Sequence, residues 1–198
     1  MNHGVSPDRT SRSAGGTVAG LVLAAGGGRR FGGPKALVRW RGRTLVEHAV
    51  ALLAAGGCDP VTVVLGAGAD EVPPLPGAAV VRNPDWATGM GSSLRVGLAG
   101  LAADAVVVTL VDTPLLGPES VRRLIAAGGP AAVATYAGEW GHPVLLSRAA
   151  AAEVAATATG DRGARGWLAA NPGKVTLVPC DGTGDPRDVD VPADLPED

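Results

Sequence analysis

The string LAAGGGRRFGGPK at 23–35 places Arg30 and Lys35 directly behind three glycines. Glycine lets backbone N–H groups come close to phosphate oxygens. Arg30 can clamp a phosphate through two parallel bonds, whereas Lys35 is a compact point charge. Together they suit the gripping of a polyphosphate. Two common phosphate templates do not fit. G-x-G-x-x-G would start at Gly26 and Gly28 but meets Phe31 where its third glycine belongs, and G-x-x-x-x-G-K-[ST] would use Gly28 and Gly33 but meets Pro34 before Lys35. What remains is a strand end, a glycine turn and two cations. The plain alternative is an ordinary turn with two solvated cations.

Carboxylates supply the complementary chemistry. LVDTP at 110–114 puts Asp112 at the exit of the most apolar run in the chain. A carboxylate there is costly unless solvated, hydrogen-bonded or metal-bound. Mg²⁺ favours one or two carboxylates plus phosphate oxygens and waters. An aspartate that merely ends a strand and shapes a proline turn is the plain alternative. The segment DVDVPADL at 188–195 adds Asp188 and Asp190. In NPDWATGMGSSL at 83–94, Asn83, Gly89, Gly91, Ser92 and Ser93 precede a helical repeat. A helix start of this kind suits an anion or a polar base edge. GHP at 141–143 and GDRGAR at 160–165 bring His142, Asp161, Arg162 and Arg165. Two arginines can hold an anion, although a histidine before proline can equally be a packed turn residue. No Ser-His or Cys-His pairing suggests an activated nucleophile.

These residues need a scaffold, and the hydrophobic pattern supplies one. Short apolar runs at 17–24, 61–65, 78–81, 105–111, 131–135, 143–146 and 175–178 read as strands. Between them lie helical stretches. One opens on the capping box Thr44-x-x-Glu47 and stops at Gly56 and Gly57; another carries Leu94, Leu98 and Leu101; a third begins at Pro118; two more cover 149–157 and 161–170. Alternating strands and helices imply one α/β domain over 17–198 with a mostly parallel central sheet and helices on both faces. Residues 1–16 read as a disordered tail. Ligands in such sheets sit at the carboxyl ends of the strands, where most of the motifs fall.

Bulk properties narrow the function. The 198 residues are 46% apolar but only 3% aromatic, so Ala, Val and Leu must build the core. The net charge of -2 and the lack of a basic stripe argue against nucleic acid. No run approaches the ~20 apolar residues of a membrane span, and the first residues lack the apolar core of a secretory signal. Cys58 and Cys180 are too few for a disulfide framework or a zinc site. The expected setting is a reducing cytoplasm. Trp40, Trp140 and Trp167 read as packing residues, and His48 as a helix-face residue without a role.

The pattern L-A-A-G-x-G-x-R-F-G-x-P-K resembles the signature of the MobA-like nucleotidyltransferases, within the wider nucleotide-diphospho-sugar transferases. The likeness extends over residues 18–195. It is strongest to the branch acting as cytidylyltransferases on molybdenum cofactor. The resemblance implies a Rossmann-like fold that moves CMP from CTP to the terminal phosphate of molybdopterin or molybdenum cofactor, releasing pyrophosphate. It implies catalytic roles for Arg30, Lys35 and Asp112. It implies nucleotide contacts from Leu23, Ala24, Ala25, Gly26, Gly28, Arg30, Lys35, Asn83, Gly89, Gly91, Ser92 and Ser93. Acceptor contacts would come from His142, Asp161, Arg162 and Arg165. Mg²⁺ would rest on Asp112 and Asp190, with Asp188 competing for the second position. Val191 and Ala193 depart from the family's usual Thr and Glu. A molybdoenzyme or its chaperone is the implied protein partner. Use of GTP, another phosphorylated acceptor, and a non-catalytic carrier of the cofactor are the competing readings, and the missing third glycine speaks against a dinucleotide-dependent oxidoreductase.

Overall fold

The computed structural model describes residues 16–196. The tail expected over 1–16 therefore lies outside the described residues except for Gly16. The strands are β1 (Val18–Ala24), β2 (Arg39–Trp40), β3 (Arg43–Thr44), β4 (Val61–Leu65), β5 (Ala78–Arg82), β6 (Ala105–Leu110), β7 (Ala131–Tyr136), β8 (Glu139–Ser147) and β9 (Val175–Pro179). The helices are α1 (Leu45–Gly56), α2 (Met90–Leu98), α3 (Pro118–Ala127), α4 (Arg148–Thr157) and α5 (Arg165–Ala170).

Seven strands form one sheet in the order β5-β4-β1-β6-β8-β7-β9. β5, β4, β1 and β6 pair in parallel; β8 runs antiparallel between β6 and β7, and β9 is parallel to β7. The central strands are apolar on both faces, as a sheet covered on two sides requires. Val22, Val63 and Val107 face α1 and α3 together with Leu45, Leu53, Val121 and Leu124. Leu21, Val64 and Val106 face the opposite layer with Leu94, Leu98, Val154 and Leu168. Truncating a fully buried leucine such as Leu21 or Leu53 to alanine would cost about 2–5 kcal/mol.

Local signals hold where chemistry dictates them. Glu47 N–H donates to Thr44 Oγ1 at 3.3 Å, and Thr44 N–H donates to Glu47 Oε2 at 2.6 Å, completing the capping box. Gly57 takes φ 104° and ends α1. Three expectations shift. The strand at 143–146 starts four residues earlier and runs antiparallel. The helix expected through Leu101 ends at Leu98, where Ala99 N–H bonds back to Arg95 O and Gly100 turns to φ 80°. The helix expected over 161–170 breaks at Gly163, φ 52°, leaving only Arg165–Ala170 as α helix.

This topology positions the site. Leu23 of β1 pairs with Leu110 of β6, so the glycine turn and Asp112 leave adjacent strands side by side. β8 enters the sheet at that same end, since Val144 pairs with Val108. His142 and Trp140 therefore sit beside the carboxyl ends of the parallel strands.

Candidate active site

The glycine turn closes on itself. Gly28 O accepts the N–H groups of Phe31, Gly32 and Gly33 at 2.9, 3.0 and 3.2 Å. Gly28 holds φ +56°, and a Cβ there would lie 1.9 Å from Gly33 O, so no other residue fits. The turn rests on Trp86, whose ring would meet a Cβ on Gly27 at 3.2 Å. It delivers Lys35 into a cleft of about 490 Å³ at the strand ends.

There Lys35 Nζ donates to Asp112 Oδ2 at 3.1 Å and to Asp190 Oδ1 at 2.8 Å, while Arg30 Nη1 pairs with Asp190 Oδ2 at 2.9 Å. Residues 35, 112 and 190 thus converge from three distant parts of the chain. Asp190 is held from behind: its N–H and that of Val191 donate to Asp194 Oδ2 at 2.8 and 2.9 Å. Val189 N–H donates to Asp112 O at 2.8 Å, fastening the C-terminal segment to the end of β6. Burial alone would lower the Lys35 ammonium. Hydrogen bonds and charge from Asp190 and Asp112 outweigh it and hold Lys35 above the usual lysine value. The bond and charge of Lys35, then Arg30, hold Asp190 below the usual carboxylate range.

Does this donor set suit a divalent ion? Asp112 Oδ1 is buried without a hydrogen-bond partner. Its other oxygen and Asp190 already converge on one cation. Hard carboxylate oxygens beside an open cleft suit a hard divalent cation. No group of three His, Cys, Asp or Glu side chains that could hold a metal ion occurs among the described residues. Asp188 belongs to a neighbouring wall. Burial first, then Asp112 and Asp190, push its carboxyl up against the opposing pull of Lys35.

A second compartment of about 430 Å³ adjoins the first, sharing Met90, Leu110 and Asp161 with it. Its walls include Tyr136, Trp140, His142, Arg162, Arg165 and Asp188. Arg162 and Arg165 are exposed and form no ion pair with another described residue. Asp161 reaches the seam because the segment 159–161 packs directly on α2. A Cβ on Gly89 would lie 2.7 Å from Asp161 Oδ1, and one on Gly91 would lie 2.8 Å from Thr159 N.

The structure brings Leu23, Ala25, Gly26, Gly28, Arg30, Lys35, Gly89, Ser93, Asp112 and Asp190 to the first cleft, and His142, Asp161, Arg162 and Arg165 to the second. It does not bring Ala24, Asn83, Gly91 or Ser92 to either wall. Ala24 faces the core. Asn83 is buried and donates to Ser92 Oγ at 2.8 Å and Ser93 Oγ at 3.0 Å, while its Oδ1 accepts from Asp85 N–H at 3.0 Å. Asn83 and Ser92 knit the loop that carries Gly89 and Ser93. Gly91 serves a close approach of backbones. Trp140, expected to pack, also lines the second compartment, whereas Trp40 and Trp167 are buried. His48 Nε2 bonds to Trp40 O at 2.9 Å, away from both compartments. Asp194 was missed as a support. An aspartate four residues after Asp190 carried a usable signal, since short aspartates commonly accept nearby backbone N–H groups.

A mostly parallel sheet with a glycine turn and an Asp-Lys-Asp cluster at its carboxyl edge defines a nucleotide-handling α/β enzyme. Comparison with known proteins narrows the class. A family model described as MobA-like NTP transferase domain matches residues 20–175, and the chain belongs to that family of nucleotidyltransferases. Nicotine blue oxidoreductase of Paenarthrobacter nicotinovorans is 40% identical over 187 residues, covering 87% of this chain and 92% of that protein. Molybdenum cofactor guanylyltransferase of Rhodobacter capsulatus is 33% identical, covering 90% and 93%. The Rv0371c protein of Mycobacterium tuberculosis H37Rv, solved in complex with manganese, superposes with a TM-score of 0.76 at 32% identity, covering 90% of this chain and 95% of that one.

Proposed function

We propose that this enzyme transfers CMP from CTP to the terminal phosphate of molybdopterin or molybdenum cofactor, with release of pyrophosphate. The observation that carries the reading is the meeting of Lys35 with Asp112 and Asp190 below the glycine turn, at the seam between two compartments. One compartment suits the nucleotide and the other a phosphorylated acceptor.

In this reading the turn at 26–33 cradles the triphosphate, and Ser93 and Gly89 face the nucleoside. Arg162 and Arg165 hold the acceptor phosphate so that its oxygen approaches the α-phosphorus in line with the departing pyrophosphate. A phosphate oxygen is already anionic, so no general base is required. Arg30 and Lys35 stabilise charge that grows on the leaving pyrophosphate. Asp112 and Asp190 would hold Mg²⁺, which supplies Lewis-acid neutralisation of phosphate oxygens when bound. Catalysis is then positioning plus electrostatics. The LAAG form of the turn together with GHP and GDRGAR supports CTP over GTP. Free, buried Cys58 and Cys180 suit a reducing cytoplasm, and no helix among the described residues is long and apolar enough to cross a membrane. The product would pass to a molybdoenzyme or its chaperone.

A second reading has one specific observation in its favour: the relative from P. nicotinovorans is named an oxidoreductase. Under it, the first cleft would take a dinucleotide pyrophosphate and the second a planar hydride acceptor. The two readings part in one experiment. Purified protein is supplied with Mg²⁺, molybdopterin and each of CTP, GTP, UTP and ATP, and pyrophosphate is measured; NADPH consumption is followed with a planar acceptor dye. Pyrophosphate release fastest with CTP supports the proposal. Faster release with GTP removes the cytidylyl claim, and NADPH oxidation without pyrophosphate release favours the second reading.

A further inference from the structure

Trp140 stands where an apolar layer runs past its cover. Side chains alternate along a strand, so Trp140, Val144 and Leu146 of β8 share one face. Val144 and Leu146 are buried in the core layer that also holds Val154 and Leu168, and Trp140 packs on the edge of that layer while staying half-buried. The pairing of β8 with β6 ends where Val144 meets Val108, so Trp140 lies four residues beyond it, at the carboxyl edge of the sheet. There its indole forms a wall of the second compartment, with Val133, Val144 and Leu168.

Its mounting is fixed. The ladder between β7 and β8 changes register between Val133 and Thr135, and Thr135 then pairs with Trp140. Bulges of this kind re-aim a side chain next to a site. The turn between the two strands is fastened by Ala137 N–H, which donates to Asp181 Oδ1 at 2.7 Å. Tyr136 closes over the next residue: a Cβ on Gly141 would lie 3.0 Å from its Cδ2, and its hydroxyl donates to His142 O at 3.0 Å.

The four tryptophans divide by the use of their indole N–H. Trp40 Nε1 donates to Pro196 O and Trp167 Nε1 to Glu153 Oε2, each at 3.0 Å. Trp86 and Trp140, which line the two compartments, have no such partner among the described residues. A buried tryptophan that only packs spends its N–H inside the protein. Trp140 keeps an apolar surface and a donor for a ligand. A cavity of about 430 Å³ takes a small molecule. Apolar and aromatic walls with the exposed Arg162 and Arg165 suit one that is flat at one end and anionic at the other.

We propose that Trp140 is the recognition surface for a flat ring of the acceptor, which packs against the indole while Arg162 and Arg165 take the anionic end. This deepens the functional reading above and rests on it only for the identity of the ring, since a planar hydride acceptor would use the same surface.

The test titrates the full chain with two unphosphorylated flat rings, pterin and lumichrome, by calorimetry, with CTP titrated in parallel. Wild type should bind pterin, and Trp140→Leu should bind it roughly tenfold more weakly. Trp140→Phe, which keeps a ring surface, should recover most of that affinity. CTP affinity should be the same in all three proteins. Unchanged pterin affinity in Trp140→Leu overturns the proposal, as does a parallel loss of CTP affinity, no recovery in Trp140→Phe, or no binding of either ring. Lumichrome binding that depends on Trp140, with no binding of pterin, keeps the recognition surface and removes the molybdopterin identity. Pyrophosphate release, measured separately, reports on nucleotidyl transfer whichever ring is bound.

Discussion

The two compartments solve opposite electrostatic problems. In the first, the central charges are paired: Lys35 bridges Asp112 and Asp190, and Arg30 closes on Asp190. In the second, Arg162 and Arg165 stand exposed without ion pairs among the described residues, and a buried imidazole nitrogen lacks any partner. A paired cluster fixes its side chains before ligand arrives, which suits groups that must act on developing charge without reorganising. Open guanidiniums keep their attraction for an incoming anion. Under the proposed function, the first compartment carries the chemistry and the second the recognition.

The largest effect should come from breaking the paired cluster. Lys35→Ala and Asp112→Ala should each lower turnover by roughly a hundredfold or more, with circular dichroism showing a folded protein in both cases. Near-normal turnover in either variant would erase the distinction between the compartments. The second compartment should respond differently. Arg162→Ala with Arg165→Ala should raise KM for the acceptor by roughly ten- to hundredfold, leaving KM for the nucleotide unchanged. A fall in turnover with an unaltered acceptor KM would move those arginines into the chemistry.

A third comparison lies within the glycine turn. Gly28→Ala forces a Cβ onto Gly33 O at a positive φ and should lower Tm by roughly 5–10 °C. At Gly26 a Cβ meets nothing within 4 Å, and Gly26→Ala should melt with wild type. Equal melting temperatures would show that the turn is not held in the shape described.

The smallest effect is the pH response of the cluster. Asp190 is depressed in the folded state, so its contribution is present above the ordinary carboxylate value and is lost as pH falls through the lower folded one. Lys35 is raised, so its contribution is complete below the ordinary lysine value and is lost only as pH rises through the higher folded one. Between about pH 5 and 9 the pair should be pH-independent. Chemical denaturation of wild type and Lys35→Met should therefore differ by a constant amount across that window. A difference that changes within it would mean the pair titrates there.

The sequence made the sheet legible because buried strands must be apolar runs and their borders fall at Gly, Pro and Asp. It made Arg30, Lys35 and Asp112 legible because charges at strand exits need a reason. What it hid were contacts made across the chain. Nothing local marks Asn83 as a tie between two serines, since an asparagine ahead of a Gly-Ser turn looks equally like a ligand. The antiparallel course of β8 depends on pairing with β6 and β7, which apolar runs do not encode. The break at Gly163 needed knowledge of Met90, whose Sδ would lie 3.0 Å from a Cβ there. Asp190 and Lys35 lie 155 positions apart, and only the folded chain makes them neighbours.

The most direct test of the central claim is ³¹P NMR of wild type with CTP, Mg²⁺ and molybdopterin. The account predicts loss of the triphosphate signals, appearance of free pyrophosphate, and a new coupled pair from a diphosphate bridge joining CMP to the acceptor. Intact CTP signals after prolonged incubation, or hydrolysis to CMP with no new bridge, would contradict it.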